Sequence, residues 1–453
     1  MDWLRQGVQV SRTAPKRVAN AVSVRLRTIA MELRYRLAVR LLGYRPMALD
    51  PRIDNSVSRV CVREQNGTRT VVKFPRFGIW WARRFYNDLK VPDGLSGIRV
   101  LLASLASDPV MGTHVPRVHH VDRLGVIESE YVDGENLAVL KAYILEHLTP
   151  PPGVRPAAVR RALQQLRADL RSYWAQGGAR RGDWDLQNLI YETSSGVIKN
   201  VDHEGFVTYR DGDPQTSDEF IELLLGGMDA VLELVESDSA VDQRTLAALS
   251  AVWKTTHSGE SYSGRRYLAG YHSLRIAGKS FRGQRDCEAR LATVPFDFAD
   301  KVVLDLGCNA GGMLHALAGV IGEGVGIDRD PRCVNAATLV AQVNGTSNLH
   351  FLMFDLEHDE LDDLRVFTFG QRIDICFMLS VAMWIPNWKE VVRFASTFAD
   401  AMLFETNGSS AQQGEQVAHL RQCFSDVRVL QDRSPDDPLQ KNRAMYLCSG
   451  PRP

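Results

Sequence analysis

From about residue 300 to the end of this 453-residue chain, short apolar runs alternate with helical stretches, and that rhythm restricts the fold more than any other feature. The runs are KVVLDLG (301–307), GEGVGID (322–328), LHFLMFD (349–355), IDICFML (373–379) and DAMLFET (400–406). Runs of this length, apolar on both faces and separated by helices, predict a mostly parallel sheet covered on both sides. Two further runs, VRVLQD (427–432) and AMYLCSG (444–450), close the chain as strands. In open sheets of this kind ligands bind beyond the carboxyl ends of the strands. Three of the runs reach an acid there, namely Asp305, Asp328 and Asp355.

The turn after the first run, DLGCNAGG (305–312), carries Gly307, Gly311 and Gly312. Glycines let the backbone pass close to a ligand with no Cβ in the way. A dinucleotide site would place pyrophosphate on the helix that follows. Here the GxGxxG spacing is missing, and Asp305 would repel a pyrophosphate while favouring a sulfonium or amino group. Asp328, 23 residues beyond Asp305, is placed to accept hydrogen bonds from both hydroxyls of a ribose. Asp355 stands at the tip of the third strand, where an adenine amino group could lie.

This series resembles the class I S-adenosylmethionine-dependent methyltransferases over roughly 264–453. The resemblance implies a seven-stranded Rossmann-like α/β sheet. It puts Asp305, Gly307 and Asn309 near the methionine part of S-adenosylmethionine, Gly311 in the cofactor turn, Asp328 at the ribose and Asp355 at the adenine. The upstream segment GYHSLRIAGKSFRGQRDCEARL (270–291) looks like the lid of some members, where Tyr271 and Arg285 would hold the cofactor's carboxylate. The loop LSVAMWIPNW (379–388) offers Trp384 and Trp388 on the acceptor side, one for stacking and one for the core. His272 is a conceivable base, although a lone histidine is more often structural.

The first half has a different grammar. SRVCVREQNGTRTVVKFP (58–75) reads as a hairpin turning at Asn66-Gly67. Helical patterns follow at 78–91 and 97–106, two short strands within 118–134, and a long helix over 157–177. Next comes RGDWDLQNLIYE (181–192), in which Asp183 and Asn188 sit five positions apart before a strand. Asp202 follows 14 residues after Asn188, and Lys73 lies on a strand 110 residues before Asp183. Phosphoryl transfer needs a carboxylate to orient the acceptor hydroxyl, oxygen ligands for Mg²⁺ and a cation on the nucleotide phosphates.

Over about 46–245 the chain resembles the protein-kinase-like fold, in its branches that phosphorylate aminoglycosides or lipopolysaccharide sugars. The resemblance implies a bilobal α+β domain that uses ATP and Mg²⁺. Within it Lys73 meets the phosphates, Asp88 pairs with that lysine, Asp183 is the base, and Asn188 and Asp202 hold the metal. The sequence departs from the pattern in several places. DPRIDNSVSRV (50–60) stands where a glycine-rich loop belongs, Arg181 replaces a histidine, Asp88 a glutamate, and DHEG an Asp-Phe-Gly signature. Both an active kinase and a degenerate, acceptor-positioning module stay open.

The joined halves are similar to the bifunctional kinase–methyltransferases that cap bacterial O-antigen polysaccharides, with the domain order reversed. That likeness implies a glycan or other small-molecule acceptor. The expected organisation is a basic arm (1–45), a kinase-like domain (46–255), a linker (256–264, THSGESYSG) and a methyltransferase domain (265–453). The 54 basic and 54 acidic side chains cancel, so nothing overall calls for nucleic acid. The arm alone carries ten Arg and Lys against Asp2 and Glu32. Val22, Leu26, Ile29, Leu33, Leu37 and Leu41 form a helical stripe along it, interrupted by Arg40. A basic amphipathic helix of this kind either lies on an anionic membrane surface or packs on the adjoining domain. The arm lacks the pattern of a signal peptide, and no stretch is apolar enough to span a bilayer. Scattered cysteines without CxxC pairs fit reduced thiols in a cytoplasmic setting.

Overall fold

The computed structural model describes residues 29, 31–47, 58–75, 95–122, 126–203, 205–208, 211–213, 216–255, 267–434 and 442–452. The expected linker at 256–264, the helix at 78–91 with Asp88, and most of the basic arm lie outside the described residues. The Cα trace groups into two compact units, Met1–Ala142 with Pro151–Leu232, and Tyr143–Pro150 with Glu233–Pro453.

In the first unit, β1 (Arg45–Pro46), β2 (Ser58–Gln65), β3 (Thr68–Pro75), β4 (Val118–Val121) and β5 (Ile127–Glu130) form an antiparallel sheet ordered β1-β2-β3-β5-β4. The β2–β3 hairpin turns at the expected Asn66-Gly67, both at positive φ (52° and 74°), with Gln65 opposite Thr68. Two successive left-handed residues match the right-handed twist of the strands. A smaller sheet joins β6 (Gly134–Asn136), β7 (Leu189–Glu192) and β8 (Val197–Asn200) in that order. The long helix Pro156–Ala175 begins on a proline, and it buries Val159, Leu163, Leu166 and Leu170 along one face.

Helix 31–41 packs on the larger sheet through a face other than the stripe read from the sequence. Met31, Tyr35, Ala38 and Val39 meet Cys61, Val72, Phe74 and Val126. Ile29, Leu33, Leu37 and Leu41 are left exposed. Smaller side chains and a tyrosine fit the twisted sheet surface, and the larger aliphatic ridge points away from it.

The second unit carries the β9 (Leu274–Ile276) and β10 (Lys279–Phe281) hairpin. It continues with β11 (Val302–Leu306), β12 (Glu323–Asp328), β13 (Leu349–Met353), β14 (Ile373–Leu379), β15 (Ala399–Glu405), β16 (Phe424–Gln431) and β17 (Met445–Pro451). The last seven form one sheet ordered β13-β12-β11-β14-β15-β17-β16. It is parallel except for β17, which is antiparallel to both of its neighbours. This is the Rossmann-like sheet expected from the alternation of runs and helices. Val303, Leu304, Val325, Ile327, Ile375, Cys376, Met402 and Leu403 are buried, so apolar clusters fill both faces.

Helix Ala240–Thr255 falls in this second unit and packs on helix Pro331–Asn344, although the sequence assigns it to the preceding domain. Its apolar face is legible from sequence, but the partner of that face is not. All seven cysteines are free thiols and all are buried.

Candidate active sites

At the carboxyl end of the parallel sheet, the strand order reverses between β11 and β14, the switch point where ligands bind in sheets of this kind. Gly307 follows β11 at φ 78°, and a Cβ on it would come within 2.7 Å of Val381 Cγ2, on the loop after β14. Gly311 has φ 73°, and its Cβ would lie 2.6 Å from the Phe351 ring. The turn is tied to the next strand by Asp328, whose Oδ2 accepts the Asn309 amide at 2.9 Å while Oδ1 accepts that of Asp330 at 2.9 Å. Burial raises the Asp328 pKa against these two hydrogen bonds.

Asp305 is buried more deeply. Burial pushes its pKa up to about 7, against the pull of the Arg290 guanidinium and with added repulsion from Asp328. A buried carboxyl poised between protonated and ionised is the right group to meet a cation. Asp355 sits at the tip of β13 in a half-exposed turn. Its carboxylate accepts the Glu357 amide at 3.0 Å and faces His358 Nδ1 at 3.1 Å, and its pKa is lowered, chiefly by the Glu357 amide. The turn and its acids therefore lie where the sequence puts them, at successive strand ends. They suit a ligand with one cationic centre and a diol, because glycine backbone allows close approach at Gly307 and the Asp328 carboxylate sits next to it.

Tyr271 and Arg285 come together, with Arg285 Nη1 donating to the Tyr271 hydroxyl at 3.4 Å. Arg285 is 1% exposed and donates to Glu405 Oε1 at 2.6 Å. Glu405, at the end of β15, also faces Arg290 Nη2 at 3.0 Å and accepts hydrogen bonds from Ser434 and Ser380. Burial pushes its pKa up, but Arg290 and Arg285 outweigh that and hold it down to about 2. Arg443 joins the network, donating to Tyr271 Oη at 3.2 Å and to Ser380 Oγ at 3.1 Å.

The sequence reading missed Glu405, Arg290, Ser380 and Arg443. The available signal was an acid at a further strand tip, in LFET, since Glu405 repeats at β15 the placement of the acids before it. Its partners Arg285 and Arg290 precede it by 120 and 115 residues, which spacing alone does not reveal.

His272 is buried against this network. Burial pushes its pKa down to about 3, with Arg290 and Arg285 adding to the effect, so the ring is neutral at physiological pH. Among the described residues its Nδ1 atom has no hydrogen-bond partner. Trp384 is 55% exposed beside a cavity of about 280 Å³ that Met383, Pro386, Trp388, Gln412 and Glu415 also line. Trp388 is half-buried, with its ring edge-to-face on His419 at 5.3 Å.

In the first unit, four of the five expected residues converge. Lys73, on β3, places Nζ 4.0 Å from Asp202 Oδ1 and donates to the Val201 carbonyl at 2.9 Å. Asn188 Nδ2 donates to the Asp183 carbonyl at 3.3 Å, and Asn200 Nδ2 donates to the same oxygen at 2.9 Å. This leaves the Asn188 side-chain oxygen as the ligand it could offer. Gly205 closes the cluster, because a Cβ on it would lie 2.5 Å from Asp202 Oδ2 and 2.8 Å from the Asp183 amide. Oxygen donors from an amide and carboxylates suit a hard divalent cation, and the ammonium beside them suits phosphate. Asp88 lies outside the described residues.

Residues 297–422 match the family model described as a methyltransferase domain, and the second half of the chain carries that domain. Among curated proteins, none matches the sequence. Similar solved structures include the N-terminal domain of EvdMO1 with SAH bound. That match has 15% identity and a TM-score of 0.31, and it covers 37% of this chain and 82% of that one. Another is the bifunctional kinase-methyltransferase WbdD, at 21% identity and a TM-score of 0.30, covering 37% of this chain. The chain spans about 40% of the length of that WbdD structure.

Proposed function

We propose that the methyltransferase domain of this chain transfers a methyl group from S-adenosylmethionine, and that the first unit is an ATP- and Mg²⁺-dependent phosphotransferase acting on a hydroxyl of a glycan or similar polyhydroxyl acceptor. The carrying observation for methyl transfer is the buried Asp305 beside the glycine turn and Asp328, at the switch point of the sheet. S-adenosylmethionine supplies an activated methyl on a sulfonium. The protein's part is to hold reactants in line and keep water out. Asp328 binds the ribose hydroxyls, Asp305 faces the cationic half of the cofactor, and Gly307 and Gly311 let the backbone come close. Tyr271 and Arg285 take the cofactor's carboxylate, with Glu405 fixing the guanidinium.

For phosphotransfer, the supporting observation is the approach of Lys73, Asp183, Asn188 and Asp202 to one another from three separate stretches of chain. Asp183 orients the acceptor hydroxyl, Asn188 and Asp202 hold the metal, and Lys73 neutralises phosphate. A second reading has its own observation: the Lys73 ammonium is hydrogen-bonded to the Val201 carbonyl, and no glycine-rich stretch precedes it. In that reading the module positions the acceptor without transferring phosphate.

Isothermal calorimetry with S-adenosylmethionine and with ATP–Mg²⁺, run separately, tests both. Cofactor binding lost in Asp328→Ala, and nucleotide binding lost in Asp202→Ala, is the expected pair of results. No S-adenosylmethionine binding by the intact chain would overturn the first half of the proposal. Cofactor binding without any nucleotide binding would leave the second reading for the amino-terminal module.

A further inference from the structure

The face of helix 31–41 turned away from the sheet carries an aliphatic ridge that stays exposed among the described residues. Leu33, Leu37 and Leu41 are 57%, 53% and 73% exposed, and Ile29, one turn earlier, is 56% exposed. Residues spaced by four lie on one side of a helix, and at about 100° per residue this side is opposite Met31, Tyr35 and Ala38. Those three are anchored to the sheet, with the Tyr35 ring 5.7 Å from Phe74. The helix is therefore held by one face while the larger apolar face is presented outward. A single exposed leucine needs no explanation, but a contiguous ridge of four does.

Charge identifies what the ridge meets. Arg36, which pairs with Glu32, and Arg40, which interrupts the stripe, are exposed beside it, and Arg34 lies on the other edge, paired with Asp122. The segment 1–45 carries ten basic side chains against two acids, although the whole chain is neutral. A second copy docked ridge to ridge would bring two such arms together, and their repulsion opposes that arrangement. An anionic surface with an apolar interior satisfies both features at once.

We propose that helix 31–41, with Ile29 one turn before it, seats its Ile29–Leu33–Leu37–Leu41 ridge in the interface of an anionic lipid bilayer, with Arg36 and Arg40 at the headgroups. Apolar burial holds such a helix in the interface, and attraction to anionic lipid sets its preference between membranes. The inference concerns where the protein works and stands apart from which reactions it carries out.

Vesicle flotation of the full chain tests it, using liposomes of pure phosphatidylcholine and liposomes in which about a third of the lipid is phosphatidylglycerol. Partitioning should be at least about tenfold stronger onto the anionic vesicles, and it should weaken in high salt. The double variant Leu33→Gln/Leu37→Gln should lose at least about tenfold of it while far-UV circular dichroism and thermal unfolding stay as in the parent. These side chains are exposed, so the fold has no need of them. No flotation on anionic vesicles, equal flotation on both compositions, or flotation unchanged in the double variant would each overturn the proposal. So would sedimentation as a dimer that the double variant splits, since it would make a second copy the occupant of the ridge.

Discussion

The two candidate sites are assembled by opposite means. In the second unit a parallel sheet does the positioning: Asp305, Asp328 and Glu405 end strands of one sheet, and each inherits its place from the register of the ladder. In the first unit no common element sets the geometry. Lys73 comes from a hairpin strand, Asp183 and Asn188 from a turn before β7, and Asp202 from the segment after β8, all joined through backbone carbonyls at Val201 and Asp183. A sheet-built site puts carboxylates into burial and shifts their ionisation. A turn-built site depends on a few hydrogen bonds staying made.

The comparison can be broken first at Glu405. Replacing it with alanine leaves Arg285 and Arg290 buried against a missing carboxylate, and losing one partner of a buried pair costs about 3–5 kcal/mol. Urea unfolding should show that loss in the second unit alone. A loss below about 1 kcal/mol would mean that the arginines do not depend on Glu405. The acid limb should change with it. The Glu405 pKa is held below its ordinary value of 4.5, so its ionised form stabilises the fold above that pH, and the contribution fades as pH falls toward about 2.

Ligand binding gives the next test, through reciprocal substitutions. Asp328→Ala should weaken S-adenosylmethionine by about 100-fold, since hydrogen bonds to a charged group contribute about 1.5–3 kcal/mol each, and leave ATP–Mg²⁺ binding as it was. Asp202→Ala should do the converse. Calorimetry in which either variant disturbs both ligands would show that the two units do not act separately.

A smaller effect should come from Gly311→Ala. The residue combines φ 73° with a Phe351 ring 2.6 Å from where a Cβ would sit, and such a change costs about 2 kcal/mol in folding, seen as a lowered urea midpoint. The smallest is a pH dependence. With the Asp305 pKa near 7, S-adenosylmethionine affinity should rise by up to about tenfold per pH unit below that value and level off above it. Asp305→Asn should bind more weakly and show a flat profile from pH 5.5 to 8.5. A slope that persists in the variant would assign the titration to another group.

The same contrast accounts for how much the sequence disclosed. The five parallel strands, the acids at their ends and the glycine turn were readable because a buried strand announces itself by composition and ends where the first polar residue stands. The β2–β3 hairpin was readable from Asn66-Gly67, which takes a conformation few other pairs adopt. What stayed hidden depends on partners distant in sequence. Glu405 is unremarkable in LFET until Arg285 and Arg290 are brought to it, and helix Ala240–Thr255 has a face but no address. The leucine stripe shows the limit of periodicity, because over 31–41 the pattern located the helix while the sheet took its other side.

The burial of every cysteine has a practical consequence. Of the seven thiols, Cys61 lies in the first unit and the other six in the second. An alkylating reagent reaches each of them only when its surroundings open, so the mass added over time is a clock of local unfolding. One early adduct would report the hairpin sheet of the first unit loosening on its own. A burst of six would report the parallel sheet coming apart as a block. Adding S-adenosylmethionine should delay the burst and leave the single adduct on schedule, so one spectrum would show which half of the chain a ligand holds shut.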